Sequence, residues 1–234
     1  MKRLAIIPAR SGSKRIPNKN IKLLFGKPII QYILNTASNS NLFEKIHIST
    51  NSNNIKKIVN NIGYEIDFMR PDYLADDYTP LMPVINFVYE KYRELGHEFD
   101  EIWLLMACNP LIEKEDLISA AKIFKEIKNN NNPLLAIKEY QTPVNWAMKI
   151  EKDNNILRPI FPDELNKRSQ DLEKIYHDAG AFEIYTPDIL KNLKGNLSDF
   201  GYYSYILEKS KSIDIDDLND WEYLEFLFQK RNKL

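Results

Sequence analysis

The sequence predicts an α/β fold with a mainly parallel sheet, and three observations lead there. Short apolar runs recur along the chain, amphipathic stretches of helical period separate them, and the alternation starts at the N-terminus. Residues 4–7, closed by Pro8, form the first run, with the continuous apolarity of a strand buried on both faces. A polar loop follows. Pro28 then stands where a first helical residue would, ahead of the stripe Ile29, Ile30, Ile33, Leu34 and Ala37. Residues 46–48 read as a strand, 52–62 as a helix and 65–69 as another strand. Next come a helix over 83–95 and a strongly apolar strand over 102–106. Residues 113–128 place Leu117, Ala120, Ala121 and Phe124 on one helical face. The asparagine tract 129–132 reads as a surface turn and 134–137 as the next strand. Between about 141 and 176 the rhythm breaks, and Pro143, Pro159, Pro162 and scattered charges predict an insertion. Strand character returns at 181–185, and a helix over 219–231 follows.

A chain of 234 residues, 44% hydrophobic and 28% charged, has the length and composition of one large globular domain. Lys and Arg number 32 against 33 Asp and Glu, so the net charge is −1. That balance argues against a nucleic-acid partner but is compatible with a local basic pocket. Cys108 stands alone, which excludes an internal disulfide and a multi-cysteine zinc site, and it reads as a small buried residue. The opening apolar run is too short for a signal peptide, and no stretch reaches the ~20 apolar residues of a membrane span. The expectation is a cytoplasmic protein without a membrane partner.

Motif exclusion narrows the chemistry. No two of the seven glycines lie two apart, so a G-x-G-x-x-G loop is impossible, and no Walker loop or G-x-S-x-G elbow is present. The first strand instead leads into Pro8-Ala9-Arg10-Ser11-Gly12-Ser13-Lys14 and then Lys19-Asn20. Ligands bind at the C-terminal end of such a strand. Small residues at 11–13 let backbone N–H groups turn toward an anion, and Arg10 and Lys19 supply charge-assisted contacts to phosphate.

Three segments then occur in a telling order: Ile7-Pro8-Ala9-Arg10 through Lys19-Asn20, Arg70-Pro71 through Asp77, and Ser212-Ile213-Asp214-Ile215-Asp216. Together they resemble the acylneuraminate cytidylyltransferases, which activate nine-carbon sialic-type acids as CMP-sugars. The resemblance spans almost the whole chain. It implies a Rossmann-like nucleotidyltransferase domain over residues 1–234, with an inserted dimerisation arm at about 140–176 and a homodimeric assembly. It also implies CTP and a nonulosonic acid as substrates and Mg2+ as cofactor. Ala9, Arg10, Ser11, Gly12, Ser13, Lys19 and Asn20 would hold the triphosphate, with Lys19 offsetting charge on the departing pyrophosphate. Arg70, Asp77 and Thr79 would line the base and ribose side, although Tyr78-Thr79-Pro80 departs from the family's small Ser/Thr run.

Within the family, Arg168-Ser169-Gln170-Asp171-Leu172, Tyr176-His177-Asp178-Ala179-Gly180 and Lys14-Arg15-Ile16-Pro17 resemble the pseudaminic acid subgroup. Sialic acid enzymes usually carry glycine where Arg15 stands. Arg168, Gln170 and His177 would contact the sugar, as would Asn109 in the departing segment Met106-Ala107-Cys108-Asn109-Pro110. The tyrosines at 202, 203 and 205 read as core or interface residues rather than a ligand stack.

Asp214 and Asp216 lie two apart, which on a strand sends both carboxylates to one face, and hard oxygen ligands suit Mg2+. The competing reading is a cap for the following helix, a task that Asp217 or Asn219 would perform better. Arg10, Lys19 and Asp216 are thus the catalytic candidates, for attack of an anomeric hydroxyl on the α-phosphate of CTP. Two other classes stand beside this one: a nucleotide-sugar glycosyltransferase with a D-x-D metal site, and a non-catalytic sugar-nucleotide binding module. Pyrophosphate release on mixing CTP with a nonulosonic acid separates all three.

Overall fold

The computed structural model describes residues 1–127, 131–192 and 201–232. Its elements, in chain order, are β1 (Arg3–Pro8), β2 (Leu23–Leu24), β3 (Lys27–Pro28), α1 (Ile29–Asn39), β4 (Lys45–Ser49), α2 (Asn53–Asn61), α3 (Leu81–Glu94) and β5 (Glu101–Leu105). After these come α4 (Lys114–Glu126), β6 (Leu134–Glu139), β7 (Met148–Ile150), β8 (Leu157–Pro159), β9 (Tyr176–Tyr185), α5 (Pro187–Asn192), β10 (Tyr203–Ile206) and α6 (Leu218–Asn232). Six strands make one sheet in the order β10-β6-β9-β5-β1-β4, all parallel except β9, which runs antiparallel to β5 and β6. β5 is buried at every position and β1 at residues 4–7, as their unbroken apolar runs require.

Helix boundaries follow local chemistry. Ser52 caps α2 by accepting from the Ile55 N–H, and Glu113 and Asp116 form a reciprocal capping box on α4. Asp217 accepts from the N–H groups of Asn219 and Asp220, while Asp220 accepts from those of Asp216 and Asp217. The start of α6 is therefore satisfied without the Asp216 carboxylate.

The sequence reading needs four corrections. Residues 65–69 form no strand: side chains fasten them beside β4, with Lys45 and Tyr92 donating to Asp67 and Phe68 stacked on His47. Pro28 is not the first helical residue but the one before α1, because it pairs with Leu23 in a two-residue ladder. Strand β9 begins at Tyr176, not at 181, so His177 lies inside the sheet opposite Lys138. Gly180 interrupts that strand at φ +61°, where a side chain would be strained, and the pairing with β6 shifts register near it. Residues 212–216 belong to no strand. Tyr203 and Tyr205 lie on β10 and pack against the main core, with the Tyr205 ring against Phe182. Of the asparagine tract, residues 129 and 130 lie outside the described residues, and Asn131 and Asn132 sit in a turn and bend.

The insertion is real as a break in the βα rhythm: single helical turns flank a small antiparallel pair, β7 with β8. The main apolar core lies between the sheet and its helices. A second, smaller core gathers Ile16, Leu24, Ile29, Leu111, Ile213, Ile215, Trp221 and Leu224. That smaller core positions the site.

Candidate active site

Strand β1 has β4 on one side and β5 on the other, so its C-terminal end opens at a reversal of strand order, where open α/β sheets bind ligands. The loop leaving it is fixed at both ends. Ala9 N–H donates to the Ser49 carbonyl (2.9 Å), and Asn18, in the left-handed region at φ +55°, accepts from the N–H groups of Ile21 and Lys22. Midway, Ile16 is buried in the small core beside Ile213 and Ile215. Ile213 and Ile215 are buried in that core, whereas Asp214 is exposed and Asp216 is partly buried where it meets Arg15. Lys19 ties the two segments together, its Nζ 2.6 Å from the Ile215 carbonyl. One apolar cluster therefore joins residues roughly two hundred positions apart and sets a cationic loop against a carboxylate strap.

Between them lies a cleft of about 470 Å³ lined by Pro8, Arg10, Gly12, Ser13, Lys14, Arg15, Lys19, Asn20, Arg70, Asp77, Leu81, Met106 and Asp216. Five cations face two carboxylates. Arg10 reaches Asp77 at 2.6 Å and the Asp76 carbonyl at 2.9 Å, and Lys14 meets Asp77 at 2.5 Å. Lys14 and then Arg10 hold the Asp77 carboxyl below the usual carboxylate range. Gly12 lies so close that a Cβ there would come within 3.3 Å of the Arg10 guanidinium. Arg70 is buried, donating to the Ser49 hydroxyl (3.0 Å) and carbonyl (2.6 Å). Burial, and secondarily Arg10, brings its pKa down to about 10, so it stays charged at neutral pH. Arg15 pairs with Asp216 at 2.6 Å. Asn20 shapes the loop by donating to the Arg10 carbonyl and accepting from the Cys108 thiol. Burial pushes that thiol up to about 12, which removes it as a nucleophile at neutral pH. Such a cleft can bind a polyphosphate and leaves its β1 end open to a second substrate.

Comparison with known proteins identifies the chemistry. The Cytidylyltransferase family profile matches residues 4–232. The chain belongs to the cytidylyltransferase family. It is 34% identical to the pseudaminic acid cytidylyltransferase of Campylobacter jejuni, over 98% of this chain and 97% of that one. It is 28% identical to the CMP-N,N'-diacetyllegionaminic acid synthase of Legionella pneumophila, with 98% and 97% covered. In fold it is similar to a CMP:2-keto-3-deoxy-manno-octonic acid synthetase complexed with CTP, at a TM-score of 0.74 and 16% identity, with 99% and 100% covered. The glycosyltransferase and binding-module alternatives give way to a nucleotidyltransferase.

The remaining candidate residues of this cytidylyltransferase fall in distinct places. Thr79 is partly exposed beside the cleft, its N–H on Asp76 and its hydroxyl on the Tyr73 carbonyl. Ser11 is exposed on the loop and Ser13 lines the cleft. Asn109 is only 2% exposed and donates to the Gly180 carbonyl, which makes it part of the turn after β5 in this conformation. His177 packs its ring on Tyr140 at 4.4 Å in a groove of about 400 Å³ that also holds Lys138, Lys209 and Ser212. Ser212 opens the strap that ends at Asp216, and its hydroxyl donates to the Ala179 carbonyl. Gln170 lines a neighbouring groove with Tyr140 and Leu172. Arg168 is exposed on the insertion and paired with Asp171, outside the cleft.

Asp214 and Asp216 fit a divalent cation of the Mg2+ kind. Both offer hard oxygens, Asp216 from the cleft lining and Asp214 from an exposed position two residues before it. Among the described residues no group of three or more His, Cys, Asp or Glu could hold a metal, and Mg2+ is commonly held by one or two carboxylates completed by substrate phosphates. Lys14 and Arg15 are the two cleft cations to which the motifs alone assign no contact. Their place beside Asp77 and Asp216 depends on pairings 63 and 201 residues apart, for which the sequence carries no periodic signal. Among the described residues no helix is long and apolar enough to cross a membrane.

Proposed function

We propose that the protein transfers CMP from CTP to a nonulosonic acid, pseudaminic acid being the preferred acceptor, with release of pyrophosphate. The observation that supports this most directly is the cleft itself: five cations and Asp216 around the end of β1, in a chain similar over its length to enzymes of that name. Arg10 and Lys14 bind the triphosphate after exchanging Asp77 for phosphate oxygens. Lys19 stands next to the strap and faces charge growing on the leaving pyrophosphate, which in-line displacement makes the chief electrostatic demand. Asn20 and Gly12 shape the loop around those contacts, and Arg70, Asp77 and Thr79 border the nucleoside side. Asp214 and Asp216 would hold Mg2+, which supplies charge neutralisation on the phosphates and acidifies a bound hydroxyl. Asp216 would also take the proton of the attacking anomeric hydroxyl as the new P–O bond forms and the bond to pyrophosphate breaks.

The acceptor is proposed to sit toward the groove of His177 and Lys138, with that of Gln170 beside it, since the strap that begins at Ser212 runs from the first groove to the cleft. Pseudaminic acid has a deoxygenated C9 and a second acylamino group, so its tail is more apolar than that of N-acetylneuraminic acid. A site fitted to a methyl terminus rejects an added hydroxyl only weakly, by roughly 10²-fold. The expected kcat/KM order, at equal Mg2+, is pseudaminic above legionaminic and N-acetylneuraminic acids. A tenfold preference for N-acetylneuraminic acid overturns the acceptor assignment and leaves CTP chemistry standing.

The working unit proposed is a homodimer through the inserted arm. Support comes from the exposed Met148, Ile150, Ile156, Leu157, Ile160 and Phe161 on and beside the β7–β8 pair. Arg168 of one protomer would then serve the partner's sugar groove. Light scattering at assay concentration should return twice the chain mass; an active monomer refutes the exchange.

A further inference from the structure

We propose that Arg15 is a nucleotide-binding residue that doubles as the resting counter-ion of Asp216. Incoming phosphates draw its guanidinium away, and the carboxylate is thereby uncovered for a divalent cation. The inference rests on the cytidylyltransferase reading and assigns a role to a residue that reading left idle.

The geometry supports it from both partners. On the Arg15 side, Nη2 sits 2.6 Å from the Asp216 carboxylate while the side chain is 66% exposed. The other cleft cations are held differently: Arg10 and Lys14 by Asp77, Lys19 by a backbone carbonyl, Arg70 by Ser49. Ile16 next door is anchored in the small core, so the guanidinium can swing while the backbone of the loop stays fixed. On the Asp216 side, capping of α6 falls to Asp217 and Asp220, which leaves the carboxylate free of structural duty. An ion pair this exposed is weak and readily exchanged. A polyphosphate offers Arg15 a bidentate and more highly charged partner than a single carboxylate.

The exchange couples two events. While Arg15 covers Asp216, that carboxylate is a poor metal ligand; once phosphates hold Arg15, it is available beside them. Nucleotide and cation thus favour each other through one side chain, and the coupling is reciprocal.

Calorimetric titration of CTP in EDTA, with wild type, Arg15→Met, Asp216→Asn and the double variant, tests this without turnover. Arg15→Met should weaken CTP binding about tenfold, the loss expected for a charge-assisted contact. Asp216→Asn should tighten it, because Arg15 is released in advance. In the Arg15→Met background that gain should vanish. A gain of equal size in both backgrounds is generic charge repulsion and overturns the proposal. In a second measurement, Mn2+ titrated into nucleotide-free protein and followed by electron paramagnetic resonance should bind Arg15→Met roughly two- to fivefold more tightly than wild type. Unchanged Mn2+ affinity also overturns it. Wild type that binds no CTP even with Mg2+ present defeats the proposed CTP chemistry and this inference with it, whereas CTP binding with an additive cycle defeats this inference alone.

Discussion

Asp216→Asn is expected to lower kcat by about 10²-fold or more, the loss that follows removal of one electrostatic contact at a transition state. The substitution keeps the shape and one oxygen of the side chain but removes its charge and its capacity to accept a proton. Folding should be spared. The carboxylate contacts Arg15 in an exposed pair, and the N-terminal turn of α6 is satisfied by its neighbours. A change in stability within about 0.5 kcal/mol, as for most exposed positions, should accompany the loss of rate. The pairing of results matters, because tighter CTP binding with slower turnover is the mark of a group acting after the nucleotide is seated. Asp216→Asn with full turnover removes the proton-acceptor role from Asp216, and wild type fully active in EDTA removes the metal role from the strap.

How much of this was legible in the sequence depended on the range of the interaction. Strands β1 and β5 could be read because burial on both faces leaves an unbroken apolar run. Helices α1 and α4 could be read from their apolar stripes, α4 from Leu117, Ala120, Ala121 and Phe124. Failures came where tertiary contacts replaced local pattern. Residues 65–69 look like a strand because Ile66 and Phe68 alternate with polar neighbours, yet the pairing is with side chains of β4 and α3. Strand β9 was read late because Asp178 and Gly180 break the apolar pattern where the strand bends. In the site, Arg10, Lys19, Asp77 and Asp216 could be picked out by residue type and motif order. Asn109 is placed only by the fold, which shows its amide nitrogen donating to the Gly180 carbonyl while its Oδ1 is buried without a partner. Alternation alone predicted the common face of Asp214 and Asp216. In the structure Ile213 and Ile215 are buried in the small core that also takes Ile16, and of the two aspartates Asp216 lines the cleft.

Lys19→Ala should lower kcat on the order of 10²-fold while raising the KM for CTP by less, because negative charge grows at the leaving pyrophosphate only as the bond breaks. The structure gives this lysine a second task. Its ammonium donates to the Ile215 carbonyl and so also helps hold the strap that carries Asp214 and Asp216. Both tasks slow turnover when lost, and a rate alone does not separate them. Leaving-group dependence does. A CTP analogue with a difluoromethylene bridge between its β- and γ-phosphates leaves as a weaker base and so needs less stabilisation. If Lys19 meets charge on the leaving group, the variant's deficit should shrink with this analogue, since the rate without the ammonium depends more steeply on leaving-group basicity. If Lys19 only fixes the strap, the variant and wild type should respond to the analogue equally. A variant whose defect lies wholly in KM would place Lys19 in ground-state binding and exclude both. The position of Nζ favours the first outcome: at 2.6 Å from a neutral carbonyl it has given up none of its charge to a carboxylate, unlike Arg10, Lys14 and Arg15 in the same cleft. Its field is therefore free to act on phosphate without first breaking an ion pair.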